Sequence, residues 1–139
     1  MDAVRCKADI MSGVAVVIED NAHNGYLSRF LLEQRGYTVE LATDGHAGIA
    51  LTQQLNPEVI LLDIQLPGMD GYAVARAIRD LDDVRDIPII AVTSYAMVGD
   101  RQRCLDAGCS GYIEKPIDPD TFVDQVDAIR GAAGQRGAL

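Results

Sequence analysis

Five short runs rich in Val, Ile and Leu, separated by stretches of helical period, constrain this chain more than any other feature. The runs cover residues 14–18, 38–41, 59–62, 88–92 and 111–113. Continuous apolar runs of this length fit strands buried on both faces, as parallel strands beneath helices are. Between them the period lengthens. Leu27, Phe30 and Leu31 fall at i, i+3 and i+4 of a first helix, with Gly36 as its stop. A second helix opens after Asp44-Gly45 and runs to about Gln54, ahead of Asn56-Pro57. The third puts Val74, Ile78 and Leu81 on one face, with Asp70 as N-cap. A fourth covers 98–107 and ends at Gly108. The fifth takes Asp118 as N-cap and Pro119 at its first position, then buries Phe122, Val126 and Ile129.

A β-α alternation repeated five times predicts an α/β fold with a parallel sheet and right-handed crossovers. Five units are too few for an eight-unit barrel, so an open, doubly wound sheet is expected. The 139 residues are one domain's worth. That domain is placed at 13–130, with 1–12 and the glycine-bearing 131–139 as flexible ends.

The charge balance excludes some partners. Twelve Lys and Arg against 21 Asp and Glu leave a net charge of -9, which repels phosphate backbones and anionic lipid. Neither nucleic acid nor a membrane surface is expected as a partner. No apolar run approaches the length of a bilayer span. Asp2 and Asp9 interrupt the N-terminus where a secretory segment would need an apolar stretch, so a cytoplasmic location is expected. Cys6, Cys104 and Cys109 show no C-x2-C spacing. They read as small buried or half-buried thiols rather than a disulfide framework or a zinc site. His23 and His46 stand alone in polar surroundings and are expected to face solvent.

In an open parallel sheet the working residues collect beyond the carboxyl ends of the strands. Here the first strand runs into Glu19-Asp20, the third into Asp63, the fourth into Thr93-Ser94 and the fifth into Glu114-Lys115-Pro116. One Asp after a strand is ordinary turn chemistry. Three carboxylates, a hydroxyl and an ammonium from four strands are a site. Clustered carboxylates stay ionised only with positive charge between them, and a hard divalent cation such as Mg2+ meets that need. An acidic rim without metal is the other reading, but it leaves Lys115 and Thr93 without a common purpose. The two together suit a phosphoryl group. No G-x-x-x-x-G-K-[ST] and no G-x-G-x-x-G is present, so nucleotide binding loses its main support. A carboxylate nucleophile that carries a phosphoryl group as an aspartyl phosphate remains.

These residues carry a family resemblance. Glu19-Asp20-Asn21, then Leu62-Asp63-Ile64-Gln65-Leu66-Pro67-Gly68-Met69-Asp70-Gly71, then Val92-Thr93-Ser94, then Gly111-Tyr112-Ile113-Glu114-Lys115-Pro116 resemble the receiver domain of two-component response regulators, over about 14–130. The stretch Ala96-Met97-Val98-Gly99-Asp100 is similar to stand-alone receivers of the cell-cycle or polarity-control type and to receivers of hybrid kinases.

The resemblance implies a flavodoxin-like strand order, 2-1-3-4-5. It makes Asp63 the phosphoacceptor, with Asp20 binding Mg2+ directly, Glu19 through water, and the Gln65 backbone carbonyl as a further ligand. Thr93 and Lys115 would hold the phosphoryl oxygens, and Tyr112 would be an aromatic switch that turns inward as the threonine moves. Lys115-Pro116 matches a bond often cis in the family. The donor would be a sensor histidine kinase or a histidine phosphotransfer protein, and the output contact with a downstream protein or onward phosphorelay. Such a chain assists its own phosphorylation and dephosphorylation and is not otherwise an enzyme. Glu19 in place of the commoner Asp, and Ser94 in place of Ala, are departures the pattern tolerates. Gln65 and Tyr95 occupy positions that tune water access to the acyl phosphate.

Competing readings are a receiver that is never phosphorylated and a receiver excised from a hybrid histidine kinase. The intact Asp63, Thr93 and Lys115 count against the first. A phosphatase or flavoprotein of similar topology lacks support, because Asp63-Ile64-Gln65 is not D-x-D and no phosphate loop exists. Elsewhere, Leu66-Pro67-Gly68-Met69 reads as a type II turn, and Asp80, Asp82 and Asp83 as a solvated helix end. Tyr26 and Tyr72 are read as packing residues. Tyr95, Met97, Val98 and Tyr112 form either an exposed docking face or part of the core.

Overall fold

The computed structural model describes residues 13–84, 86–94 and 98–138, without the side chains of 98 and 133–138. Five strands, β1 (Gly13–Ile18), β2 (Tyr37–Ala42), β3 (Val59–Asp63), β4 (Ile89–Thr93) and β5 (Gly111–Glu114), alternate with five helices. The helices are α1 (Ala22–Gln34), α2 (Gly45–Leu55), α3 (Gly71–Arg79), α4 (Val98–Asp106) and α5 (Phe122–Ala138). All strand pairs are parallel and the order is β2-β1-β3-β4-β5. The expected doubly wound α/β sheet is what the chain forms.

The two faces of the sheet feed two apolar clusters. Val16, Ile18, Ile60, Leu62, Ile89 and Ala91 point toward α2, α3 and α4, where Val74, Ala75 and Ile78 meet them. Their neighbours Ala15, Val17, Val59, Leu61, Ile90 and Val92 point the other way, toward Leu32 of α1 and Phe122, Val123 and Val126 of α5. Alternation by one residue therefore serves both layers, and all five residues of β3 are buried.

Local signals account for most boundaries. Asp44 and Asp70 accept the Ala47 and Ala73 amides at 2.8 Å, capping α2 and α3. Gly68 takes φ 81°, and the Met69 amide bonds to the Pro67 carbonyl at 2.9 Å, so the expected type II turn is drawn tighter, into a three-residue turn centred on the glycine. The reading of α1 fails. Phe30 is 47% exposed and Tyr26 67% exposed, and their rings stack on each other at 6.4 Å. The buried face of α1 is Gly25, Ser28 and Leu32, which a count of apolar residues passes over. The regular span of α5 is Phe122–Ala138, and its first turn opens at Asp118. Asp118 caps it as expected, its side chain accepting the Asp120 amide at 3.0 Å and its carbonyl the Thr121 and Phe122 amides at 3.1 and 2.9 Å. At its far end α5 continues to Ala138, past the boundary set at 130. Each further residue closes another helical bond, against which a Gly costs only about 1 kcal/mol.

Candidate functional site

The carboxyl edge of the sheet extends one residue beyond its strands, and that extension aims the polar side chains. The Glu19 amide bonds to the Ala42 carbonyl at 2.9 Å, and the Lys115 amide to the Thr93 carbonyl at 2.8 Å. Glu19 and Lys115 therefore leave the sheet with ladder geometry still imposed on their backbones. Asp63 is the last residue of β3 and only 3% exposed. Behind it, α3 begins against the loop itself. A Cβ on Gly71 would lie 2.8 Å from the Asp63 carbonyl oxygen and 2.5 Å from Ile64 Cα, so only glycine admits this approach.

One cation serves two of the carboxylates. Lys115 Nζ lies 3.1 Å from Glu19 Oε1 and 3.3 Å from Asp63 Oδ2. The other oxygens are held by backbone amides: Asn21 N–H donates to Glu19 Oε2 at 3.2 Å, and Gln65 N–H to Asp63 Oδ1 at 3.0 Å. Asn21 also caps α1 by accepting the Asn24 amide at 3.0 Å, so one residue orients both the helix and the glutamate.

Asp20 faces solvent beside them, and oxygens of Glu19, Asp20 and Asp63 all fall within 4.8 Å of one another. Three carboxylates against one ammonium leave an excess of negative charge in a largely buried place. The Glu19 carboxyl responds by rising to about 7, through burial first and then its hydrogen bond with Asp63, with Lys115 acting in the opposite direction. A donor set made only of oxygens, with surplus negative charge, fits a hard divalent cation and not a nitrogen- or sulfur-seeking one.

Thr93, 2% exposed, ends β4 opposite Glu114. Tyr112 is half-buried on β5, with the Arg101 guanidinium of α4 over its ring at 5.0 Å from the centroid. Lys115-Pro116 is cis. The structure thus brings Lys115 into contact with Glu19 and Asp63, with Asp20 within 4.8 Å of both carboxylates and the Gln65 amide on Asp63. Thr93 closes the neighbouring strand, and Tyr112 lies on the adjoining one.

Of the apolar face expected from Tyr95, Met97, Val98 and Tyr112, the side chains of the first three lie outside the described residues. Tyr72 does pack, with Arg103 over its ring at 4.4 Å. His23 and His46 are exposed. Sequence reading missed the Arg101–Tyr112 pair, whose only signal was the occurrence of both types on elements the fold makes adjacent.

Residues 15–127 match the model of the response regulator receiver domain. The chain belongs to the receiver domain family. Among relatives of this receiver, a Brucella anthropi polar-differentiation response regulator, DivK, is 39% identical over 118 residues, 85% of this chain and 96% of the relative. The receiver domain of a Pseudomonas aeruginosa sensor histidine kinase, solved with a magnesium ion coordinated in its active-site cleft, is 33% identical with TM-score 0.79, over 86% of this chain and 98% of that one. Vibrio cholerae chemotaxis protein CheY4 has the same fold at 24% identity, TM-score 0.81, over 85% of this receiver and 98% of its own chain. No helix among the described residues is long and apolar enough to cross a membrane.

Proposed function

We propose that Asp63 accepts a phosphoryl group from a phosphohistidine, on a sensor histidine kinase or a histidine phosphotransfer protein, in a Mg2+-dependent reaction in the cytoplasm. The observation that carries this reading is a buried carboxylate at a strand end, with Lys115 Nζ at 3.3 Å and two further carboxylates within 4.8 Å.

A Mg2+ ion would be held by Asp20 and Asp63 directly, by Glu19 through water and by the Gln65 carbonyl, and when bound it would neutralise charge on the phosphoryl oxygens. In the transfer an Asp63 oxygen attacks phosphorus, the P–N bond to imidazole breaks, and its electron pair returns to the ring nitrogen. Lys115 then turns from the carboxylates to the new phosphoryl oxygens, as a point charge. The Thr93 hydroxyl donates to another oxygen. That movement frees space for Tyr112 to turn inward, away from Arg101. The surface of α4 and β5 changes with it, and a protein partner reads the change, or the phosphoryl group passes onward. The likeness to polar-differentiation regulators supports a role in cell polarity.

Incubation with Mg2+ and acetyl phosphate, followed by intact mass measurement, tests the chemistry. The expected result is a hydroxylamine-labile phosphoryl adduct that vanishes in Asp63→Asn and without Mg2+. No adduct, with acetyl phosphate and with a panel of histidine kinases, would replace this reading by a phosphorylation-independent interaction module.

A further inference from the structure

The C-terminus of α4 closes in a Schellman motif whose apolar contact is made by two thiols. Gly108, at φ 106°, donates its N–H to the Leu105 carbonyl at 3.0 Å, and the Cys109 N–H returns to the Cys104 carbonyl at 3.0 Å. This pair of bonds presses the side chain three residues before the cap against the one two residues after it. Those side chains are Cys104 and Cys109. Both belong to one apolar cluster, and they are 1% and 6% exposed. Arg79 pins the turn, its Nε donating to the Gly108 carbonyl at 2.8 Å and its Nη1 to the Ile87 carbonyl at 2.7 Å.

The two thiols are chemically unequal. A hydrogen bond between them lowers Cys104 to about 7 against the effect of burial, helped by the Tyr72 hydroxyl. The same bond, with burial, pushes Cys109 up. A thiolate beside a protonated partner is the arrangement in which a sulfenic acid is captured by its neighbour. Bridging needs the two backbones close together, and the Cys109 amide already bonds to the Cys104 carbonyl at 3.0 Å.

We propose that Cys104 and Cys109 form a reversible thiol–disulfide site, through which peroxide-class oxidants staple the end of α4 to the start of β5. Cys104 thiolate attacks a peroxide oxygen; the O–O bond breaks, water leaves and Cys104 becomes a sulfenic acid. The Cys109 sulfur then attacks Cys104, the S–O bond breaks, and a second water departs. Two thiols lose two electrons and two protons, and one peroxide becomes two waters. A dithiol reductant reverses the reaction. Access comes through the cap, since helix ends open at lower cost than the core. Arg101 precedes this staple by three residues and Tyr112 follows it by three.

The test uses the full chain carrying Cys6→Ser, treated with hydrogen peroxide, then alkylated in denaturant and digested with trypsin. The peptide 104–130 contains both thiols. The expected result is a loss of two hydrogens with no alkyl label, and two labels after dithiothreitol. Cys104→Ala and Cys109→Ala each abolish the bridge; Cys109→Ala leaves sulfenic or sulfinic acid on Cys104, and Cys104→Ala leaves Cys109 reduced, with circular dichroism confirming the fold. Two labels remaining after a dose that oxidises a free cysteine peptide in the same tube would overturn the proposal. So would sulfinic acid or intermolecular disulfide as the main product. The unsubstituted peptide decides the matter even where an Ala variant fails to fold.

Discussion

The two ends of the sheet both carry clusters of charge, yet they are built for opposite purposes. At the amino end, Arg35 reaches Asp124 at 2.9 Å and Asp127 at 2.7 Å, and Arg130 reaches Glu58 at 3.2 Å. The Tyr37 hydroxyl donates to Asp127 at 2.7 Å and accepts from Arg130 at 3.0 Å. These groups tie α5 to the starts of β2 and β3, and several of them are open to water. At the carboxyl end, one lysine faces two buried carboxylates and a third lies beside them. Charge that is paired and solvated is a fastening. Charge that is buried and in excess is what a bound hard cation would relieve.

The sharpest way to break the comparison is to remove the carboxylate at its centre. Asp63→Asn is expected to abolish the phosphoryl adduct in intact mass spectra while leaving the fold at least as stable without Mg2+, because one repelling charge is gone. A clear loss of stability in urea unfolding would contradict the charge-excess view. Next in size, Lys115→Ala strips the cation from two buried carboxylates. A cost on the order of 3 kcal/mol is expected in urea unfolding, with part of it recovered in millimolar Mg2+. The recovery separates a ligand site from a plain structural ion pair.

At the other end the effects shrink. Tyr37→Phe removes one hydroxyl from the fastening, and about 1 kcal/mol of stability should go with it, with no change in Mg2+ dependence of phosphorylation. Tyr37 also carries a pH signature. Burial and the bond to Asp127 push its hydroxyl up to about 12 in the folded protein, partly offset by Arg130. Between the ordinary value near 10 and that raised value, the folded state keeps a proton the unfolded chain has lost. Its contribution is therefore complete below pH 10 and lost as pH rises through 12. Thermal melts over that window should fall more steeply for the wild type than for Tyr37→Phe. The smallest effect is expected from Arg35→Ala, whose guanidinium is 41% exposed and whose partner Asp124 is 70% exposed: under about 1 kcal/mol, and smaller still in high salt.

How much of this was legible depended on whether the signal was local. Asp44 and Asp70 cap helices through amides three residues away, so the sequence contains the whole interaction. The strand-end residues were legible for a different reason, since parallel α/β topology delivers every strand's carboxyl end to one edge. Phe30 and Tyr26 were misread because α1 approaches the sheet through Gly25 and Ser28, which a search for apolar periodicity does not score. The long-range pairs, Arg101 with Tyr112 and Cys104 with Cys109, needed coordinates. The cysteines do carry a trace of their contact, a C-x4-C spacing around the cap glycine.

The sequence by itself determined the alternation, the layer architecture, and which residues would lie along the carboxyl edge, because period and chain connectivity act over short distances. It also determined that Asp63, Glu19, Asp20 and Lys115 would be near neighbours. Only the tertiary structure decided how charge is shared among them. Lys115 bridges Glu19 and Asp63, while Asp20 stays in water. That arrangement depends on burial and on ångström-scale distances between segments far apart in the chain, and electrostatic energy is sensitive to both.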